Sequence, residues 1–521
     1  MTDVETIQLG GIAVIAVVIA AIARNRGINP SLPLLAAGLV VGMLPFGPDA
    51  PTDPEFVLVV VLAPLVFGEA LSSSIVDLRR VSRPVMALAI GLVVVGAFIV
   101  GGVAAALLPG MPLTAALCLG AILGPTDAVA VAATARAVSL PRRVVDILEG
   151  ESLVNDGTAL TLLRVFAVAA AAGTVTAGQV TVIMLESVLG GALVGIVGGL
   201  LLAMVIRRSR DTTVANGLIL IAPFPLYALA EQVEGSGILA VVIAALILAH
   251  ATSSAATYTG RLQATMLWRA IIFILQALAF FLVGIDVPSV IQSLSNQERS
   301  LLFVAVPVIL ITLIAARFLF VFAMSAIAKT RTTHPRSWIV VAWAGTRGPI
   351  SALAAFTLPL TTVDGAPFPQ RDLIISITFG VVVLSLLLAP TMGPLARALR
   401  LPSDDDTETV QRVQLALARA SLDRLDEISQ ARDRAEDPIP AETVDQLRSN
   451  VERRFELLAR AHDGHSDDVA TPELVRELRL SMVHAEQEEL LRMRDEEGLP
   501  DSVMRTFQKE LDVRARAVQT L

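Results

Sequence analysis

Over its first 400 residues the chain alternates apolar blocks of about 20 residues, the length one helix needs to cross a bilayer, with short polar stretches. Thirteen such blocks can be read, near residues 9–23, 29–47, 55–72, 85–108, 113–135, 144–171, 180–206, 213–232, 236–252, 264–285, 300–328, 338–359 and 373–396. Beyond Pro402 the pattern changes. Val413, Leu415, Leu417, Leu422, Leu425 and Ile428 recur at three- to four-residue spacing among many charges, which predicts amphipathic helix rather than membrane span. Pro438 and Pro440 mark a break in this region, and residues 463–468 read as a loop before a helix opening near Thr471-Pro472-Glu473. The expected architecture is an all-α integral membrane domain over residues 1–402, followed by a helical tail over 403–521 that is regulatory or dimer-stabilising. The tail has too little β pattern for a βαβ nucleotide-binding domain.

Two of the blocks are interrupted by polar, Gly/Pro-flanked segments. The fifth contains Gly124-Pro125-Thr126-Asp127 and the twelfth Gly345-Thr346-Arg347-Gly348-Pro349. Irregular backbone at membrane depth frees N–H and C=O groups that lipid cannot solvate, so it persists only where protein buries it or a wet cavity lines it. The two breaks lie seven blocks apart, an odd offset, so the broken helices traverse the membrane in opposite directions. This predicts two inverted repeats, blocks 1–6 and 8–13, with the seventh as linker, and a substrate site where the broken helices cross. The linker glycines Gly190, Gly191, Gly195, Gly198 and Gly199 superficially resemble a phosphate loop. No strand precedes them, so close helix packing is the expected role.

Charge adds direction. The net charge is −8, but residues after 402 hold 17 Lys/Arg against 28 Asp/Glu, a net of −11, which leaves the membrane part at about +3. Loops following odd-numbered blocks are rich in arginine (Arg24, Arg26; Arg79, Arg80, Arg83; Arg136, Arg142, Arg143; Arg207, Arg208, Arg210), and the opposite loops carry only Arg299 and Arg371. The positive-inside rule then puts the N-terminus outside and the tail in the cytoplasm, in a multi-pass protein of the cell's inner (cytoplasmic) membrane. The acidic start, Met1-Thr2-Asp3-Val4-Glu5, lacks the basic region of a cleaved signal, so the first span is read as retained. With one cysteine, Cys118, no intramolecular disulfide can form.

The chemistry sits in charges placed within apolar blocks: Glu69, Asp127, Glu149, Glu151, Asp156 and Arg347. Each costs about 2.5–3.5 kcal/mol at mid-bilayer unless partners, water or ions offset it. Glu149 reads equally well as a charge at the cytoplasmic end of its helix. In Glu151-Ser152-Leu153-Val154-Asn155-Asp156, Ser152 and Asp156 share one helix face, and Glu151 and Asn155 share the adjacent one. Carboxylate, hydroxyl, amide and freed carbonyl are oxygen ligands suited to a hard cation or a proton. The histidines (His250, His334, His462, His465, His484) are scattered, so no zinc set forms. Glu151 is expected to pair with Arg347, bracing the sixth span against the twelfth. No Gly-x-Ser-x-Gly elbow or P-loop is present, and neither an enzyme nor a cofactor is expected; nor is a nucleic-acid partner. Arg164, Glu186, Glu231 and Arg317 receive no role.

The motifs Leu62-Ala63-Pro64-Leu65-Val66-Phe67-Gly68-Glu69, Gly120 to Asp127, Glu149 to Gly157, Phe280-Phe281-Leu282-Val283-Gly284 and Gly345-Thr346-Arg347-Gly348 resemble the monovalent cation/proton antiporters of the CPA1 class. That class holds the bacterial and archaeal sodium/proton antiporters related to the animal exchangers. The resemblance covers residues 9–400 and implies a thirteen-span homodimer. It also implies that Asp156 binds cation and proton alternately. Ser152, Glu69 and the Thr126 carbonyl would complete the ligands, with Asp127 acting through water and Asn155 stabilising the crossing. The Asn155-Asp156 pair resembles the electroneutral subclass. Gly124-Pro125 departs from the Ser-Ala of many relatives. The expected activity is 1:1 exchange of sodium or lithium for a proton by alternating access. A potassium/proton antiporter and a regulated cation channel are the alternatives; a channel would favour a continuous pore with rings of charge.

Overall fold

The computed structural model describes residues 3–400 except 45–53, 74–77, 79–80, 128–139, 174–175, 210, 256–257 and 329–334, together with 422–431, 440–442, 444–449, 486, 511, 513–515 and 517. The second half of the fifth block, loop residues such as Arg79, Arg80 and Arg136, and most of the tail, including Val413, Leu415, Leu417, Pro438, residues 463–468 and Thr471–Glu473, lie outside the described residues. The chain divides into two compact units, Met1–Asp404 and Asp405–Leu521. In the second unit, residues 422–431 and 444–449 are helical, and Arg448 forms an ion pair with Asp426.

The first unit is built of helices, as a chain of apolar blocks must be when each segment has to satisfy its own backbone in lipid. In order these are α1 (Asp3–Asn25), α2 (Ser31–Gly42), α3 (Pro54–Leu71), α4 (Ser82–Leu107), α5 (Leu113–Ile122), α6 (Arg142–Ala171), α7 (Ala177–Arg208) and α8 (Thr212–Gln232). There follow α9 (Gly237–Ala255), α10 (Tyr258–Ser293), α11 (Asn296–Ala328), α12 (Pro335–Trp343), α13 (Pro349–Phe356), α14 (Arg371–Leu388) and α15 (Met392–Ala398). Eight of the helical segments are long and apolar enough to cross a membrane, and shorter apolar helices accompany them. Among the described residues no strand forms; an isolated bridge joins Thr361 and Pro367. The protein is therefore an all-α membrane protein, and among the described residues each apolar block contains helix.

Local chemistry explains the irregularities. In α3 the backbone widens into a π-helical stretch at Val57–Leu62. Pro64 follows, with no N–H to give to the carbonyl of Val60, and the wider turn accommodates its ring. Elsewhere small residues let helices approach closely. A Cβ on Gly38 of α2 would lie 2.3 Å from the Phe281 carbonyl oxygen of α10, and one on Gly120 of α5 would lie 2.3 Å from that of Ala97 in α4. The linker glycines behave likewise: a Cβ on Gly191 would lie 2.6 Å from the Ser236 carbonyl oxygen and one on Gly195 2.7 Å from that of Ala240, so α7 lies against the start of α9. Large apolar side chains such as Phe303, Ile311 and Leu319 on α11 and Leu185, Leu189 and Leu193 on α7 face outward, as lipid-facing surfaces do.

Candidate functional site

The site forms where the irregular segment after α5 and the one between α12 and α13 meet α6. After α5 the chain is irregular from Leu123 through Asp127, the last described residue there, and a second irregular stretch spans Ala344–Gly348 between α12 and α13. Pro349 opens α13 at the position where its missing N–H costs nothing. The breaks bond directly to each other. The Asp127 N–H donates to the Thr346 carbonyl at 2.8 Å, and the Ser351 hydroxyl reaches the Pro125 carbonyl at 3.4 Å. Gly348 is required at this crossing, because a Cβ there would lie 2.9 Å from the Cβ of Asp127.

From α6, Ser152 donates its hydroxyl hydrogen to the Thr126 carbonyl at 2.6 Å, and the Asn155 amide donates to the Thr126 hydroxyl at 2.8 Å. The helix thus grips the first break through two successive polar residues on one side. Asp156 lies next to them and is 1% exposed; among the described residues its Oδ1 has no hydrogen-bond partner. Glu69 of α3 is half-buried, and the carboxylates of Glu69, Asp127 and Asp156 lie within electrostatic reach of one another. All five predicted ion-site residues (Asp156, Ser152, Glu69, Thr126 and Asp127) are therefore gathered in one region. So is Asn155, predicted to stabilise the crossing.

One neighbour escapes sequence reading. Gln276 of α10 donates its amide to Glu69 at 3.2 Å. The available signal is faint, a single uncharged polar residue inside the apolar run Ile271-Ile272-Phe273-Ile274-Leu275-Gln276-Ala277.

The expected Glu151–Arg347 pair is not what forms. Glu151 receives both terminal nitrogens of Arg317, from the unbroken α11, in a bidentate bridge; Arg317 also donates its Nε to the Val341 carbonyl at 3.1 Å. Both partners are buried, at 1% and 3% exposure. The correction has a physical basis. Depth alone made Arg347 a plausible partner, but the face that α11 turns toward α6 cannot be read from an apolar run. Arg317 also bonds the Val341 carbonyl in the last turn of α12, where the half-helix dipole favours a cation. Arg347 instead folds back on its own break, its Nη1 donating to the Gly345 carbonyl at 2.6 Å.

The other unassigned charges also find places. Arg164 of α6 pairs with Glu231 of α8 at 2.9 Å and donates to the Gly235 carbonyl, and Glu231 accepts from the Gly237 N–H at 3.1 Å. Glu149 and Glu186 are exposed.

Buried carboxylates beside freed carbonyls, where two irregular chain segments meet inside an all-α membrane protein, are the arrangement of a secondary transporter for a small cation. The family profile described as "Sodium/hydrogen exchanger, transmembrane" matches residues 12–396, and the chain belongs to that family of cation/proton antiporters. It is a transporter and not an enzyme. The chain is 33% identical over 519 residues to an uncharacterized Na(+)/H(+) exchanger of Mycobacterium tuberculosis (strain H37Rv), covering 96% of this chain and 94% of that protein. It is 28% identical over 531 residues to the "sodium, potassium, lithium and rubidium/H(+) antiporter" of Bacillus subtilis, covering 96% and 77% respectively. Its fold is similar to the sodium proton antiporter MjNhaP1 from Methanocaldococcus jannaschii at pH 8, with a TM-score of 0.64, 22% identity, and coverage of 76% of this chain and 98% of that one.

Proposed function

We propose that the protein exchanges sodium or lithium for a proton, one for one, across the cytoplasmic membrane, with Asp156 carrying either ion in turn. The observation that carries this reading is the burial of Asp156, one carboxylate oxygen unpartnered among the described residues, beside a carbonyl and a hydroxyl already oriented by Ser152 and Thr126. An ionised carboxylate in such a place is costly, and a proton or a bound cation neutralises it equally well. The two ions therefore exclude each other, and only the neutralised site passes cheaply between inward- and outward-facing states. Ser152, the Thr126 carbonyl and Glu69 are the further ligands in this reading. Asp127 acts through water, Asn155 holds the crossing, and Gln276 orients Glu69. Exchange of one charge for one charge makes the cycle electroneutral.

The finer architecture belongs to the same proposal. Thirteen spans in two inverted repeats put the N-terminus outside and the acidic helical tail (403–521) in the cytoplasm, where it regulates or stabilises a homodimer. A second reading, potassium/proton exchange through the same residues, is favoured by the broad cation range in the name of the Bacillus subtilis relative. Everted vesicles from cells lacking their own antiporters separate the two. Sodium or lithium added to respiring vesicles is expected to alkalinise the acidified lumen. A response to potassium alone would change the substrate and keep the site. No response to any of the three cations across a broad pH range would overturn the exchanger reading and turn attention to a channel.

A further inference from the structure

A cleft lies beside the twelfth block. It opens between α11, the Ala344–Gly348 break and the end of α14. Its walls are apolar, with Leu313, Ile314, Leu388 and Ala389 among them, and its polar end is formed by Thr346 and Arg347. Ile314, Leu388 and Ala389 are half-buried, and their neighbours Ile311 and Leu387 are exposed at 65% and 56%, so the opening faces the lipid side of the helices.

Two groups at the polar end lack partners. Arg347 is 6% exposed, and its Nε has no hydrogen-bond partner among the described residues; the same holds for the buried hydroxyl of Thr346. Arg317, which also lines the cleft, is already neutralised by Glu151, whereas Arg347 forms no ion pair among the described residues. Of the two arginines, Arg317 alone forms an ion pair among the described residues, and the Arg347 side chain has a backbone carbonyl as its partner. Isolated buried charges are costly, and guanidinium is best satisfied by a planar two-oxygen anion held by parallel N–H donors.

We propose that this cleft binds a long-chain carboxylate of the fatty-acid class, its head on Arg347 and Thr346 and its alkyl chain along α11 and α14 toward the lipid. Depth selects this class over a phospholipid. The nine-residue α12 rises about 13 Å before the break, near the middle of a hydrocarbon core about 30 Å thick. A phosphodiester stays charged and belongs at the interface, but a carboxylic acid crosses hydrocarbon in its neutral form. The proposal is independent of which cation the exchanger carries.

The test uses the full-length protein in phosphatidylcholine nanodiscs with a diazirine-bearing palmitate as photoprobe. Labelling is expected in peptides containing Leu310–Arg317 or Ser385–Met392 and is expected to be competed by excess oleate but not by methyl oleate. Ala389→Trp fills the cleft and should cut labelling at least tenfold while cation-driven proton movement persists, which shows the variant to be folded. Arg347→Gln should weaken labelling as well, by removing the head contact. Competition by methyl oleate as strong as by oleate, or labelling unchanged in a transport-active Ala389→Trp protein, would overturn the proposal. So would competition by phosphatidylglycerol or inorganic phosphate but not by oleate.

Discussion

Asp156→Asn is expected to abolish exchange while leaving a folded protein in the membrane. The substitution keeps the shape and one oxygen but removes the charge that a cation must neutralise and the acid that a proton must occupy. No polar partner among the described residues holds the Oδ1 of Asp156, so an amide group in that place breaks no hydrogen bond to that oxygen. The drop in cation-dependent proton movement should exceed the roughly 10–100-fold that removal of an outer-shell partner usually costs an ion site. Asn155→Ala is the useful comparison. It loses the bond to the Thr126 hydroxyl and should fall within that smaller range, because it holds the crossing without carrying an ion. Equal amounts of folded protein, judged by fluorescence-detected size exclusion, make the two effects comparable. Exchange surviving in Asp156→Asn would remove that residue from the centre of the site.

The second large effect concerns stability. Arg317→Gln leaves Glu151 as a buried carboxylate stripped of a bidentate partner, and should destabilise the protein by about 3–5 kcal/mol. The double change Glu151→Leu with Arg317→Met should recover much of that loss, since well-packed apolar replacements of a buried pair are often neutral or better. A double-mutant cycle on thermal unfolding in detergent measures the coupling. Arg347→Gln should be milder, because its guanidinium bonds a backbone carbonyl and no carboxylate loses a hydrogen bond with it. If the two arginine changes prove equal, the assignment of Arg317 as the partner of Glu151 is wrong.

These two predictions mark where the sequence was and was not sufficient. The apolar blocks announced helices because bilayer thickness imposes a length on them, and the polar breaks stood out because irregular backbone is so rarely tolerated in lipid. The Ser152–Asp156 face, with Asn155 on the adjacent one, was equally legible, since residues four apart on a helix share a face. Partner choice was not legible in the same way. Arg317 and Gln276 each lie in long, nearly featureless apolar helices, where periodicity carries little information about rotation. Arg347 was therefore matched to Glu151 on depth alone while Arg317 was given no role, and tertiary packing makes Arg317 the partner. The pairing of Arg164 with Glu231, which also draws in the backbone before α9, was hidden for the same reason.

The central claim is that proton and cation occupy one carboxylate in turn, and steady-state exchange in proteoliposomes tests it most directly. With the pH equal on both sides, the apparent KM for sodium should rise about tenfold for each unit of acidification on the acid limb, while the maximal rate at saturating sodium stays constant. Imposed membrane potentials should leave the rate unchanged. A KM that ignores pH while the maximal rate falls would mean that the proton acts at a different group, and the single-site account would then be wrong.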